Sequence, residues 1–88
     1  MRVLQELENE EYRRTYGGEL AKMDLAVALR EARVALGLTQ SQLAEKVGVG
    51  QEPYIRRLED GEANPTIEEI GTLLAVLRLR IRFEIVPL

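Results

Sequence analysis

Thr39-Gln40-Ser41-Gln42-Leu43-Ala44-Glu45-Lys46-Val47-Gly48-Val49-Gly50-Gln51-Glu52-Pro53-Tyr54-Ile55-Arg56-Arg57-Leu58-Glu59-Asp60-Gly61 reads as two short helices joined by a tight turn. Thr39 and Gln42 have capping-box spacing: the threonine oxygen accepts from an orphan amide, and the glutamine reaches back to the cap's own amide. Leu38 and Leu43 stand where a hydrophobic staple would. This predicts a helix from Gln40, which Val47-Gly48-Val49-Gly50 interrupts within about two turns. Pro53 is tolerated only in the first turn of the next helix, where its missing amide is no loss. Ile55 and Leu58 form that helix's buried stripe, and Asp60-Gly61 stops it.

Upstream, Leu25, Leu29, Ala32 and Leu36 follow helical spacing from Asp24 onward, and Gly37 supplies a left-handed stop. Before that, Val3, Leu4 and Leu7 share a helical face. Asn9 can cap a segment from Glu10 to Tyr16, which Gly17-Gly18 is expected to end. Downstream, Asn64-Pro65 leads to a second capping box, Thr66-Ile67-Glu68-Glu69. It heads a helix whose stripe is Ile67, Ile70, Leu73, Leu74 and Leu77.

At Arg78 the period changes to two. Leu79, Ile81, Phe83 and Ile85 alternate with Arg78, Arg80, Arg82 and Glu84, and Pro87 closes the run. A lone strand leaves backbone donors, acceptors and an apolar face open. Its simplest partner is the same strand of a second copy, antiparallel about a two-fold axis. The alternatives are addition to a partner protein's sheet and continuation of the last helix.

Eighty-eight residues predict one compact unit with at most a short arm at either end. Hydrophobic residues at 45% and charged residues at 31% are a globular balance. With one phenylalanine, three tyrosines and no tryptophan, the core rests on Leu, Ile, Val and Ala. Cysteine and histidine are both absent. That removes disulfides, thiol nucleophiles, zinc-thiolate sites and the most versatile general base. Ser41 and Thr39 are explained by helix capping, so no enzymatic activity, cofactor or metal is expected. No stretch approaches the ~20 apolar residues of a membrane span, and the acidic run from Glu6 to Glu11 is unlike a signal peptide. The expected compartment is the cytoplasm.

The net charge of −3 weighs against nucleic-acid binding in general, yet the distribution softens the objection. Residues 1–19 carry a net −2, while residues 20–60 balance six bases against six acids. Ten of the twelve bases are arginine, the side chain that forks to phosphate or guanine.

Two short helices around a tight turn, flanked by helices, form a helix-turn-helix arrangement or, equally by spacing, a plain α-hairpin. In the first case the second helix is the right size for the major groove. Burying Ile55 and Leu58 turns Pro53, Arg56, Arg57 and Asp60 outward, with Gln51 and Glu52 leading. The predicted fold class is mainly α: a compact helix-turn-helix bundle of about five helices with one C-terminal β-strand pairing across a homodimer. The expected divisions are a helical arm at 1–19, the helix-turn-helix domain at 20–77 and a dimerisation strand at 78–88, with Leu79, Ile81, Phe83 and Ile85 as the dimer seam.

Leu29-Arg30-Glu31-Ala32-Arg33, Gly37 through Val49, Ile55 through Gly61 and Asn64-Pro65 resemble the phage-repressor or Xre type of helix-turn-helix regulator over about fifty residues. Within that type the chain is most similar to antitoxins of the HigA and HipB kind, through the lead-in Glu11-Tyr12-Arg13 to Tyr16 and the terminal Ile85-Val86-Pro87. The resemblance implies a repressor that reads a palindromic operator in double-stranded DNA. As an antitoxin it would also neutralise a small basic toxin of RelE or HigB type and autoregulate its operon; the alternative is an inhibitor of such a toxin with weak or no DNA binding.

The resemblance also implies residue roles. Gln40 would bond a backbone phosphate together with the helix's N-terminal amides, with Ser41 beside it. Arg33 and Glu59 would form a buried salt bridge. Gln51, Glu52 and Arg56 or Arg57 would contact bases. In the family the isoleucine stands three residues after the glutamine of the turn, whereas Ile55 stands four after Gln51. Either Gln51 occupies the N-cap and Glu52 takes the glutamine's place, or the turn bulges at Gly50.

Overall fold

The computed structural model describes residues 9–48 and 50–88. They form four helices: α1 Glu10–Ala35, α2 Gln40–Val47, α3 Glu52–Glu59 and α4 Ile67–Val76. The helical face expected from Val3, Leu4 and Leu7 lies outside the described residues.

The break expected at Gly17-Gly18 does not occur, and the helix expected from Asp24 is the second half of α1. A glycine costs a helix interior only about 1 kcal/mol relative to alanine, and local interactions offset that here. The Asn9 side chain accepts from the Tyr12 amide at 3.0 Å, and Glu10 and Glu11 occupy the positive N-terminal turn. Ion pairs Arg14–Glu10 and Lys22–Glu19 brace the first half. The division between residues 19 and 20 falls inside this helix.

Three helices end the same way. After α1 the Leu38 amide reaches the Arg33 carbonyl at 3.1 Å and Gly37 reaches Val34 at 2.9 Å; after α3, Glu62 reaches Arg57 and Gly61 reaches Leu58. These are Schellman closures with the linking residue left-handed, glycine in both cases, at φ 71 and 72°. After α4, Leu79 bonds back to Leu74 and Arg78 to Ala75 in the same pattern. Here Arg78 takes the left-handed position at φ 60°, which an L side chain adopts at a cost of about 1 kcal/mol. The closure explains why the last helix does not continue into residues 79–88.

That segment forms no strand in the single chain: no β-ladder is present among the described residues. A strand is defined by its neighbour, and one copy supplies none. Ile81 packs against the core while Ile85 is 98% exposed.

The core gathers Leu29 from α1, Leu43 and Ala44 from α2, Ile55 and Leu58 from α3, Ala63 from the loop, and Ile70, Leu73 and Leu74 from α4. Ile55 is the most buried of them. Ile67, expected in the stripe of α4, is instead exposed at the helix's first turn. The α3 helix lies against both α1 and α2, and α2 also touches α4.

Candidate nucleic-acid interface

α2 begins as its capping box requires. Thr39 Oγ1 accepts from the Gln42 amide at 3.0 Å, and Gln42 Oε1 accepts from the Thr39 amide at 2.9 Å. The amides of Gln40 and Ser41 then point forward with no intrahelical acceptor, since the first turn of any helix lacks one.

The turn uses two glycines, Gly48 at φ 151° and Gly50 at φ 79°. Gln51 stands at the N-cap position of α3 with helical backbone angles and no side-chain capping bond. The first bond of the helix runs from the Ile55 amide to the Gln51 carbonyl at 2.9 Å. Glu52 is therefore the first helical residue, Pro53 lies in the opening turn, and Gly50 just ahead of the cap is left-handed.

The candidate contact residues fall into separate places. Ser41 and Glu52 line one cleft between the heads of α2 and α3, together with Glu45, Pro53 and the two turn glycines. Arg56 extends from the same face of α3 and pairs with Glu52 at 3.7 Å. Arg57 is exposed one position on. Gln51 is turned away, into a cleft with Val47, Tyr54, Glu69 and Thr72. Gln40 is half-buried, its Nε2 donating to Glu59 Oε1 at 3.3 Å.

At the far end of α3, Arg33 holds the Glu59 carboxylate with two parallel bonds, Nε to Oε2 at 2.7 Å and Nη2 to Oε1 at 3.0 Å. The Glu59 side chain is only 1% exposed. Arg33 Nη1 also donates to the Leu38 carbonyl at 2.7 Å, tying the end of α1 to the approach to α2. The hydrogen bond to Glu59 raises the Arg33 pKa above its usual value; burial opposes this and the carboxylate's charge adds to it. A bidentate, charge-assisted pair of this kind fixes the angle between two helices.

Sequence reasoning missed two contributors. Arg30, one turn before Arg33 on the same helix, donates from Nη2 to the Glu59 carbonyl at 3.2 Å. Its i,i+3 spacing from Arg33 is the signal that pointed there. Tyr54 donates its hydroxyl to Glu69 Oε2 at 2.9 Å, clamping α3 to α4. Its pKa is raised, chiefly by burial and then by the bond to Glu69 and that carboxylate's charge, with Arg57 opposing. No spacing rule links Tyr54 to Glu69, because that contact depends on how the helices pack.

A helix-turn-helix family model matches residues 29–83, the stretch that spans most of the core, the turn and the terminal segment. The chain belongs to the helix-turn-helix family. It is 40% identical over 74 residues to a protein of Haemophilus influenzae named "Uncharacterized HTH-type transcriptional regulator", covering 80% of this chain and 72% of that one. It is also 40% identical over 53 residues to an Archaeoglobus fulgidus protein of the same name, covering 60% of this chain and 74% of that one. No solved structure matches it. No helix among the described residues is long and apolar enough to cross a membrane.

Proposed function

We propose that this helix-turn-helix protein is a sequence-specific, DNA-binding transcriptional repressor that acts in the cytoplasm as a homodimer, by binding and without catalysis. The observation that carries the reading is the joint exposure of the α2 head and the outward face of α3. Unsatisfied amides at Gln40 and Ser41 suit a phosphate, and Arg56 and Arg57 suit base edges or the backbone beside it. Glu52 at the leading end favours a cytosine amine over a bare phosphate. Gln51, in the cleft against α4, and Gln40, bonded to Glu59, stand outside this surface.

The homodimer reading is supported by the unpaired alternation of residues 79–85. A two-fold axis through Phe83 sets Arg82 of each copy across from Glu84 of the other, and Ile81 across from Ile85. Opposite charges then line one face and apolar side chains the other. Two copies so joined present their α3 helices to half-sites ~34 Å apart. The finer assignment, an antitoxin that autoregulates its operon and sequesters a small basic toxin, rests on the resemblance of the Glu11–Tyr16 lead-in and the Ile85-Val86-Pro87 ending. It also rests on the acidity of the N-terminal segment, which complements a basic partner.

The test is the solution mass of the chain, alone and with a duplex from upstream of its own coding region, at low and high salt. The expected result is a dimer that takes up one duplex and releases it as salt rises. No uptake at low salt overturns operator binding, a chain that is monomeric alone and with duplex overturns the homodimer, and a dimer that stays dimeric with Phe83→Glu overturns the strand seam. Co-purification with a basic protein encoded beside it supports the antitoxin assignment; purification alone when that neighbour is co-expressed overturns it.

A further inference from the structure

α1 is amphipathic twice over. One face supplies Leu25, Ala26 and Leu29 to the interior, and the opposite face carries Tyr16, Leu20, Met23, Val27 and Val34 at alternating steps of four and three, with Arg30 in the remaining position. That step is the heptad repeat of a helix-pairing seam. Met23, Val27 and Val34 are 59, 54 and 61% exposed. A solvated helix face is ordinarily polar, so an apolar stripe on the outer side of a 26-residue helix indicates a missing neighbour.

The charges beside the stripe say which neighbour. The two flanking rows contain Glu19, Asp24 and Glu31; the bases on this side are Arg33 in a flanking row and Arg30 within the stripe, and both are turned to Glu59. Glu19 is partly neutralised by Lys22 at 2.8 Å; Asp24 and Glu31 have no ion pair among the described residues. A second copy is a poor occupant. In a parallel pair Glu19 would face Asp24 of the other helix, and in an antiparallel pair acids would again face acids. DNA and anionic lipid are repelled for the same reason.

We propose that the outer face of α1 is a docking seam for a separate basic protein, which lays against it an amphipathic helix whose apolar stripe is flanked by Lys and Arg. This inference rests on the protein-binding half of the proposed function and assigns it a place. Arg30, in the seam's remaining position, reaches the Glu59 carbonyl at the end of α3, so the place assigned to the occupant is the stretch of α1 from Tyr16 to Val27, ahead of that contact.

The test uses the full chain and two synthetic 21-residue helices, both with leucine at the seam positions, one with lysine and the other with glutamate in the flanking rows. Fluorescence anisotropy at low salt is expected to show the lysine helix bound at least tenfold more tightly than the glutamate helix, with the difference shrinking in 1 M salt. Val27→Asp, with an unchanged circular-dichroism spectrum, is expected to weaken the lysine helix at least tenfold although it adds a negative charge. Asp24→Lys combined with Glu31→Lys is expected to invert the preference. Equal binding of the two helices, no binding of either, or indifference to Val27→Asp overturns the proposal. A dimer that Val27→Asp dissolves shows the seam filled by a second copy and overturns it as well. A chain that binds its duplex but neither helix loses only this inference, whereas one that takes the lysine helix but no duplex loses only operator binding.

Discussion

Glu52 and Glu59 sit two turns apart on α3, and the protein treats them oppositely. Glu59 is buried, gripped by Arg33 through two bonds of 2.7 and 3.0 Å, with Gln40 completing its shell. Glu52 is 44% exposed at the rim of a cleft, with a single loose partner, Arg56, at 3.7 Å. The chemical group is the same, so the difference lies in what surrounds it. At the closed end, desolvation makes the ion pair compulsory, because either partner left alone is an unsolvated charge. At the open end water screens the pair, and both side chains stay available to something else. One helix therefore carries a fixed end that orients it and a free end that can meet a ligand.

The sharpest way to break this contrast is to empty the closed end. Glu59→Ala strands Arg33 in a partly buried site, and Arg33→Ala leaves the buried Glu59 carboxylate only a loose ion pair with Arg30 at 3.7 Å and the Gln40 bond. Each is expected to lower stability by about 3–5 kcal/mol, a large part of the stability of a domain this size. Urea unfolding followed by circular dichroism measures it. A loss below about 1 kcal/mol for Arg33→Ala would mean that Glu59 is not buried in solution, and the two glutamates would then be alike.

Next in size is the head of α2, which positions Gln40 against Glu59. Thr39→Ala removes one half of the capping box and is expected to cost about 1 kcal/mol. Because Gln40 touches the closed end of α3, the loss should be smaller when measured in the Glu59→Ala background than in the wild type. Additive losses would show that the box supports α2 alone.

Tyr54 lies between the two glutamates and probes the middle of the helix. Its folded pKa is raised above 10.0, by burial first and the Glu69 bond second. The folded state thus holds the phenolic proton more tightly than the unfolded chain. The stability this contributes is fully present below about pH 10 and is lost as pH rises through the raised folded value. The difference in urea midpoint between the wild type and Tyr54→Phe should narrow from pH 8 to pH 11. At neutral pH the substitution removes one hydrogen bond, worth about 0.5–1 kcal/mol.

What was legible in the sequence was what is local. The capping box at Thr39, the threonine cap at Thr66 and the left-handed stops at Gly37 and Gly61 are decided within six residues; α2 and α4 begin, and α1 and α3 end, accordingly. The expected second half of the box at Thr66 is absent because Glu69 turns to the Thr66 hydroxyl and to Tyr54. Gly17-Gly18 misled because glycine's helix penalty is small beside the cap and ion pairs around it. The terminal alternation from Leu79 to Ile85 is plain, but a ladder needs a second strand, and one chain cannot show it. The candidate contact set was legible only as residue types. Whether Gln51 faces the α2 and α3 cleft or the opposite one depends on Gly48 and Gly50, whose two positive φ angles set the entry direction of α3.

The smallest expected effect on stability belongs to the open end, and it separates the two glutamates most clearly. Glu52→Gln keeps the side chain's length and removes its charge. The exposed pair with Arg56 is worth about 0.3–0.5 kcal/mol, and a carboxylate at a helix N-terminus adds a few tenths, so the loss should stay below about 1 kcal/mol. Effects on DNA run the other way. With Glu52 neutral, repulsion from nearby phosphates falls and Arg56 is released, so duplex affinity in general should rise while any preference for cytosine at the facing position fades. Titrating random-sequence and upstream duplexes with both proteins at one salt concentration reads the two changes together. Unchanged affinity on both duplexes would place Glu52 away from DNA, and the cleft between the α2 and α3 heads would then not be the contact surface.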